Sequence, residues 1–114
     1  MPAEAGIQEP SQRIRSNLMK RPCVYILSSK RNGTLYVGVT SDIVRRIREH
    51  KNSAVEGFSK DYGVHQLVYI EFHDTMLNAI GREKRLKAWK RAWKINLIEQ
   101  GNEEWLDLYD QILR

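Results

Sequence analysis

Hydrophobic positions along this chain fall into two short β-rich runs, a helical stretch, a third β-rich run and a long tract with helical spacing. The first run, Cys-Val-Tyr-Ile-Leu-Ser over 23–28, and the second, near Thr34 to Thr40, flank Asn32-Gly33. Asn-Gly accepts the positive φ values of a tight type I′ turn, so the pattern predicts a hairpin. Alternation along a strand then puts Tyr25 and Leu27 on one face of the first strand, and Tyr36 and Gly38 on one face of the second. Thr40, Ser41 and Asp42 are N-cap candidates for a helix from about Asp42 to Asn52, with Ile43, Val44 and Ile47 as its apolar stripe. At about 100° per residue, Arg46 and His50 stack on one flank of that stripe, whereas Arg45 points away.

Residues 53–64, with Gly57, Lys60, Tyr62 and Gly63, read as a loop, and Leu67 to Phe72 as a third strand. A helix is expected from about Thr75 to Trp93 or beyond despite Gly81, and a short last one over Glu103 to Leu113 after the Gly101 stop. Residues 1–20 carry Pro2, Gly6 and Pro10 without a sustained apolar period, which predicts a mobile leader ahead of a single domain over 21–114. The alternative is a short docking helix through Ile14, Leu18 and Met19.

Composition narrows the functional classes. At 114 residues and 41% hydrophobic, the chain suits one compact domain. Nineteen Lys and Arg against 14 Asp and Glu give a net charge of +5, which favours polyanionic partners such as nucleic acid. One cysteine excludes an intrachain disulfide and a cysteine-based zinc site, and points to a reducing compartment. No run approaches the roughly 20 apolar residues of a membrane span, and no secretion signal is present, so a cytoplasmic protein without a membrane partner is expected.

One residue breaks the pattern of the second long helix. Met76, Ala79, Ile80 and Leu86 define its apolar face, and Glu83 falls near the middle of that face. A carboxylate there is costly unless it is salt-bridged or coordinates a metal. Close by, Lys84, Arg85, Lys87, Lys90, Arg91 and Lys94 form a basic run with Trp89 and Trp93 interleaved. It reads as a solvated face over two core tryptophans, as a surface that tracks a nucleic-acid backbone, or as both.

Taken together, Cys23-Val24-Tyr25, Tyr36-Val37-Gly38, the helix from Asp42 to His50, and Arg82-Glu83-Lys84 followed by Leu86 and Trp89 resemble the GIY-YIG nuclease superfamily. The resemblance spans about residues 22–110 and is nearest to small stand-alone bacterial members. It implies an α/β (α+β) fold: a small three-stranded antiparallel sheet flanked by helices, in β-β-α-β-α-α order. It also implies a metal-dependent endonuclease acting on DNA, single-stranded or branched, structure-selective or weakly sequence-specific, in repair or recombination. Under it Glu83 holds a largely hydrated Mg²⁺ or Mn²⁺, Arg46 grips phosphate oxygens, and Tyr25 or Tyr36 is the base. An unperturbed phenol titrates near 10, so that base needs its pKa lowered by the metal or by a cation. His50 would hydrogen-bond a tyrosine or relay a proton.

Lys30, Arg45, Lys60, Lys84 and Lys87 are the expected nucleic-acid contacts, with no small-molecule cofactor and a monomer or weak dimer. Cys23 stands where the first signature has glycine, and Val39 where repair-type members have lysine, which leaves the group that activates the tyrosine open. Asn96 corresponds loosely to a family asparagine but reads as a helix-surface residue. With no recognition domain expected at either end, site-specific cutting is not implied. A non-catalytic nucleic-acid-binding module and an interaction domain for an acidic protein are the competing readings.

Overall fold

The computed structural model describes residues 20–52 and 63–113. Strand β1, Cys23–Ser28, is buried at all six positions, and it takes the only place in a three-stranded sheet that is flanked on both sides. It pairs antiparallel with β2, Leu35–Thr40, and with β3, Gln66–Phe72, in the order β2-β1-β3. The β1–β2 register sets Tyr25 opposite Gly38 and Leu27 opposite Tyr36. Along β1–β3 the register slips between Ile26 and Leu27, as at a bulge.

A strand with oily side chains on both faces needs a layer on each side. Val24, Ile26, Val37 and Val68 point to one layer, where they meet Ala79 and Leu86 of α2, Met76–Ala88, Ile98 of α3, Arg91–Gly101, and Trp105. Cys23, Tyr25, Leu27 and Leu67 point to the other and meet Ile43 and Ile47 of α1, Ile43–Lys51. A single turn of helix, α4, Tyr109–Ile112, closes that second layer. The expected three-stranded antiparallel sheet flanked by helices is therefore present, and the expected cap of α1 is Asp42, whose side chain accepts from the Arg45 N–H.

Four details differ from expectation. The hairpin tip is longer than a two-residue type I′ turn: Ser29 N–H bonds Thr34 O at 3.1 Å, Gly33 N–H bonds Lys30 O at 2.9 Å, and Asn32, not Gly33, has the positive φ, 60°. Gly33 is required for a different reason, since a Cβ there would lie 3.0 Å from the Lys30 backbone nitrogen and 2.3 Å from Ser29 Oγ. The long helix divides, because Trp89 and Lys90 are extended at ψ 150°. Beyond that break α3 packs against β3 and buries Ile98 with Val24, Val68 and Leu86. Its first residue, Arg91, then donates to Asn32 O and Gly33 O, both at 2.7 Å, and ties the hairpin tip to α3.

Residues 103–108 are not helical. Asn102 is buried, donates to Val68 O and Leu106 O, and accepts from the Leu106 N–H, while Trp105 takes φ 59°. Met76, expected on the apolar face of α2, is 36% exposed at its first turn. Most of the expected leader, the loop at 53–62 and Lys60 lie outside the described residues. No helix among the described residues is long and apolar enough to cross a membrane.

Candidate active site

The site grows from the β1–β2 pairing. Because Tyr25 lies opposite Gly38, its ring crosses the neighbouring strand directly over that glycine. A Cβ at position 38 would stand 2.4 Å from the Tyr25 ring and its phenol oxygen, so the glycine of the second signature is the floor on which the first tyrosine rests. Tyr36, two residues earlier on the edge strand, brings its ring centroid to 6.3 Å from that of Tyr25. Helix α1 completes the group from above: the His50 ring lies 5.2 Å from Tyr36 and 6.0 Å from Tyr25, edge-on to both.

A hydrogen bond of 3.2 Å joins the Tyr25 phenol to His50 Nε2. Both residues are fully covered, and burial dictates their charge states. Desolvation first, and then the guanidinium of Arg46, pull the His50 imidazole down to about 4, so it is neutral at pH 7. Desolvation first, and then the neighbouring phenol of Tyr36, push Tyr25 above its ordinary range, so it is a protonated phenol. With Tyr25 donating to Nε2, the imidazole proton sits on Nδ1, which is buried without a hydrogen-bond partner among the described residues.

Arg46 is placed as the helical spacing predicts. Its side chain is 39% exposed against 74% for Arg45, and both reach Glu49, at 3.7 and 3.3 Å. The Arg46 charge is felt by Tyr25 and His50, whereas Arg45 stands away from the site in solvent.

Glu83 stands in the other layer. It shares a helix face with the buried Ala79 and Leu86 and is only 13% exposed, as its position on the wheel predicts. Its carboxylate meets Lys87 Nζ at 2.7 Å, an i, i+4 ion pair whose lysine is mostly in solvent. Helix α2 packs against β2, the edge strand carrying Tyr36 and Gly38, and against β1. The structure thus brings Tyr25, Tyr36, His50 and the Arg46 charge into one cluster, and carries Glu83 on the helix laid against the same hairpin. Among the expected nucleic-acid contacts, Lys30 is exposed on the hairpin tip, Lys84 is exposed on α2, and Lys87 is engaged by Glu83.

Sequence reasoning passed over Glu71. On β3 its carboxylate accepts from the Tyr69 hydroxyl, from Arg82 Nε at 2.9 Å, and pairs with His73 Nε2 at 2.7 Å. Although burial opposes it, these donors hold its pKa below the ordinary carboxylate range. Arg82 in turn lies 5.2 Å over the Trp89 ring. Glu71 alternating with apolar neighbours in a strand was the available signal, but its ionisable partners Arg82 and His73 come from α2 and from beyond the strand end.

The sequence model of the family described as the GIY-YIG catalytic domain matches residues 21–96. A UPF0213 protein of Staphylococcus saprophyticus is 37% identical over 83 residues, covering 73% of this chain and 100% of that protein. One from Syntrophus aciditrophicus is 37% identical, over 75% of this chain and 98% of that one. A solution NMR structure of a UPF0213 protein from Bacillus halodurans is 28% identical and covers 70% of this chain and 84% of that chain, with a TM-score of 0.45.

Proposed function

Since the chain belongs to the GIY-YIG catalytic domain family, we propose that it is a divalent-metal-dependent endonuclease that hydrolyses DNA phosphodiester bonds. One observation carries the reading: two tyrosines, a neutral histidine and an arginine charge converge where Gly38 leaves room for an aromatic ring.

Hydrolysis needs a deprotonated water, neutralisation of the charge that builds on phosphorus oxygens, and a proton for the leaving 3′ oxygen. Tyr36 is the more accessible of the two phenols and sits on the edge strand, so it takes the proton of the attacking water as it passes its own phenol proton to Tyr25. Tyr25, covered and hydrogen-bonded to His50, hands its proton in turn to Nε2 of the neutral imidazole, and the leaving 3′ oxygen takes a proton from water. The planar fork of Arg46 suits charge spread over several oxygens. Desolvation makes such a contact stronger than it would be in water.

Glu83 is the carboxylate that would hold the metal. Among the described residues no group of three or more His, Cys, Asp and Glu could hold an ion, so an all-protein cage does not fit. A hard cation bound through one carboxylate, with water and substrate phosphate completing its shell, does fit a nearly covered acid whose present partner is a flexible lysine. When bound, such an ion lowers the pKa of coordinated water and offsets phosphate charge. Lys87, released from Glu83, joins Lys30, Arg45, Lys60 and Lys84 as a contact to the backbone.

The test is incubation with supercoiled, branched and single-stranded DNA in Mg²⁺ or Mn²⁺. Cutting is expected, with Glu83→Gln and Arg46→Ala each abolishing it while the circular dichroism spectrum is kept. Persistence of cutting in Glu83→Gln would remove the metal role. The Glu83–Lys87 ion pair favours one competing reading, a binding module that keeps the fold without chemistry. Salt-sensitive binding with no cleavage in either metal would establish that alternative.

A further inference from the structure

The break between α2 and α3 creates a second feature that the proposed chemistry does not use. Trp89 and Trp93 meet edge to face, with centroids 6.0 Å apart and planes at 86°. With Asn96, Leu97 and Gln100 they wall an open cleft of about 350 Å³ on α3. Trp93 is 53% exposed, a large apolar surface to leave in water. Cations gather at the same place. Lys90 Nζ lies 5.6 Å over the Trp93 ring, and Arg91 and Lys94 follow on the first turn of α3.

Of the seven Lys and Arg between Arg82 and Lys94, Glu71 engages Arg82 and Glu83 engages Lys87. Arg91 donates only to backbone carbonyls, Lys94 Nζ to Lys87 O at 3.4 Å, and among the described residues no carboxylate pairs with Lys90, Arg91 or Lys94. Burial and then the adjacent Arg91 hold the Lys94 ammonium below its ordinary range. The first turn of α3 carries no acidic residue, so three cations crowd the positive end of a helix. An anion is the partner that relieves this.

We infer that the Trp89–Trp93 cleft binds an unpaired nucleotide of a single-stranded nucleic acid, stacking its base on tryptophan and holding its phosphates on Lys90, Arg91 and Lys94. Three chemistries coincide there, and an unpaired nucleotide uses all of them. The aromatic wall offers a π surface for a base face. The exposed amides of Asn96 and Gln100 offer donors and acceptors to a base edge. The cationic rim answers phosphate. A duplex keeps its base faces inside the stack, and an acidic peptide supplies the charge without the flat rings. The inference deepens the proposed nuclease reading, on which it rests for its substrate class: the preferred DNA has an unpaired segment next to the cut.

The test measures binding alone, in EDTA, so that it does not depend on cleavage. Full-length protein is titrated with fluorescein-labelled oligo(dT) and with a hairpin duplex of equal charge, followed by anisotropy. Trp93→Ala, which removes a mostly exposed side chain and no charge, is expected to weaken oligo(dT) binding about tenfold. Duplex affinity should change less than twofold, and the dependence on salt should be unaltered. Trp93→Phe should restore part of the loss, and Lys90→Gln should weaken both ligands and flatten the salt dependence. Equal loss for duplex and single strand, or no loss for either, overturns the inference. So does a dimer in sedimentation equilibrium that Trp93→Ala dissolves, which would make the cleft a contact between copies. Single-strand selectivity without cleavage leaves this site standing and removes the nuclease reading; cleavage indifferent to Trp93 does the reverse.

Discussion

The two faces of one sheet accommodate polar side chains by opposite means. Under α1, Tyr25 and His50 are buried as neutral groups: burial moves both pKa values toward the uncharged form, and one hydrogen bond joins them. Under α2, Glu71 stays charged in a half-buried setting because Tyr69, His73 and Arg82 supply donors to both of its oxygens. In that cluster both carboxylate oxygens already accept from protein donors. In the neutral pair one imidazole nitrogen has no hydrogen-bond partner among the described residues and a guanidinium stands beside it, and that incompleteness is what a reaction can use.

The contrast can be broken first with pH. His50 has a folded pKa of about 4 against 6.5 in an ordinary peptide, so at acid pH the unfolded chain binds the extra proton. The stability this neutral histidine contributes is complete above pH 6.5 and is lost as pH falls toward 4, by about 3 kcal/mol in full. Urea unfolding of wild type and His50→Gln at several pH values should show a steep fall only in the wild type over that window. Parallel curves would show that the imidazole is not desolvated. The Glu71 cluster loses stability in the same direction but at lower pH: its carboxylate is depressed, so its contribution is complete above the ordinary carboxylate range and is lost as pH falls through that range and below it.

Next in size is Gly38→Ala. The added methyl meets the Tyr25 ring at 2.4 Å and forces it off the glycine, at about 2 kcal/mol in chemical denaturation. In a Tyr25→Ala background the same change should cost under about 0.5 kcal/mol, because the two sites touch and their effects are coupled. Additive losses would place the ring elsewhere. Glu71→Gln should follow at about 1–2 kcal/mol, leaving Arg82 without its counter-charge. A neutral result would mean that water already screens that cluster. The smallest effect belongs to Lys87→Ala: the lysine of this i, i+4 pair with Glu83 is mostly in solvent, and the pair is worth under about 0.5 kcal/mol of stability. A larger loss would make the Glu83 carboxylate dependent on its lysine, and a structural role for it would gain ground.

Much of this was readable from residue order, for reasons that are local. Period-two and period-3.6 spacing located the strands of the hairpin, the third strand and α1 to within a residue or two, because those periods are properties of the backbone. The same geometry separated Arg46 from Arg45 and put Glu83 among Ala79 and Leu86. What escaped depended on partners distant in sequence. Trp89 and Lys90 have nothing in them that forbids a helix, yet both are extended, and α3 beyond them buries Ile98 among residues of the sheet and α2. Asn102 looks like an ordinary polar after the Gly101 stop and Asp107 like part of the expected last helix, yet one satisfies Val68 O and the other accepts from Leu67 N–H and pairs with Lys51.

The order of residues decided which side chains share a face, since a repeating backbone leaves that no freedom. Folding in three dimensions decided everything that is a matter of depth and company. It settled that His50 is dry enough to lose its charge, that Gly38 is the seat of a phenol, that Glu71 accepts from three donors, and that two tryptophans open a cleft beside cations that no carboxylate pairs among the described residues. Desolvation and proximity act between residues the chain keeps tens of positions apart, and no periodicity along it carries that information.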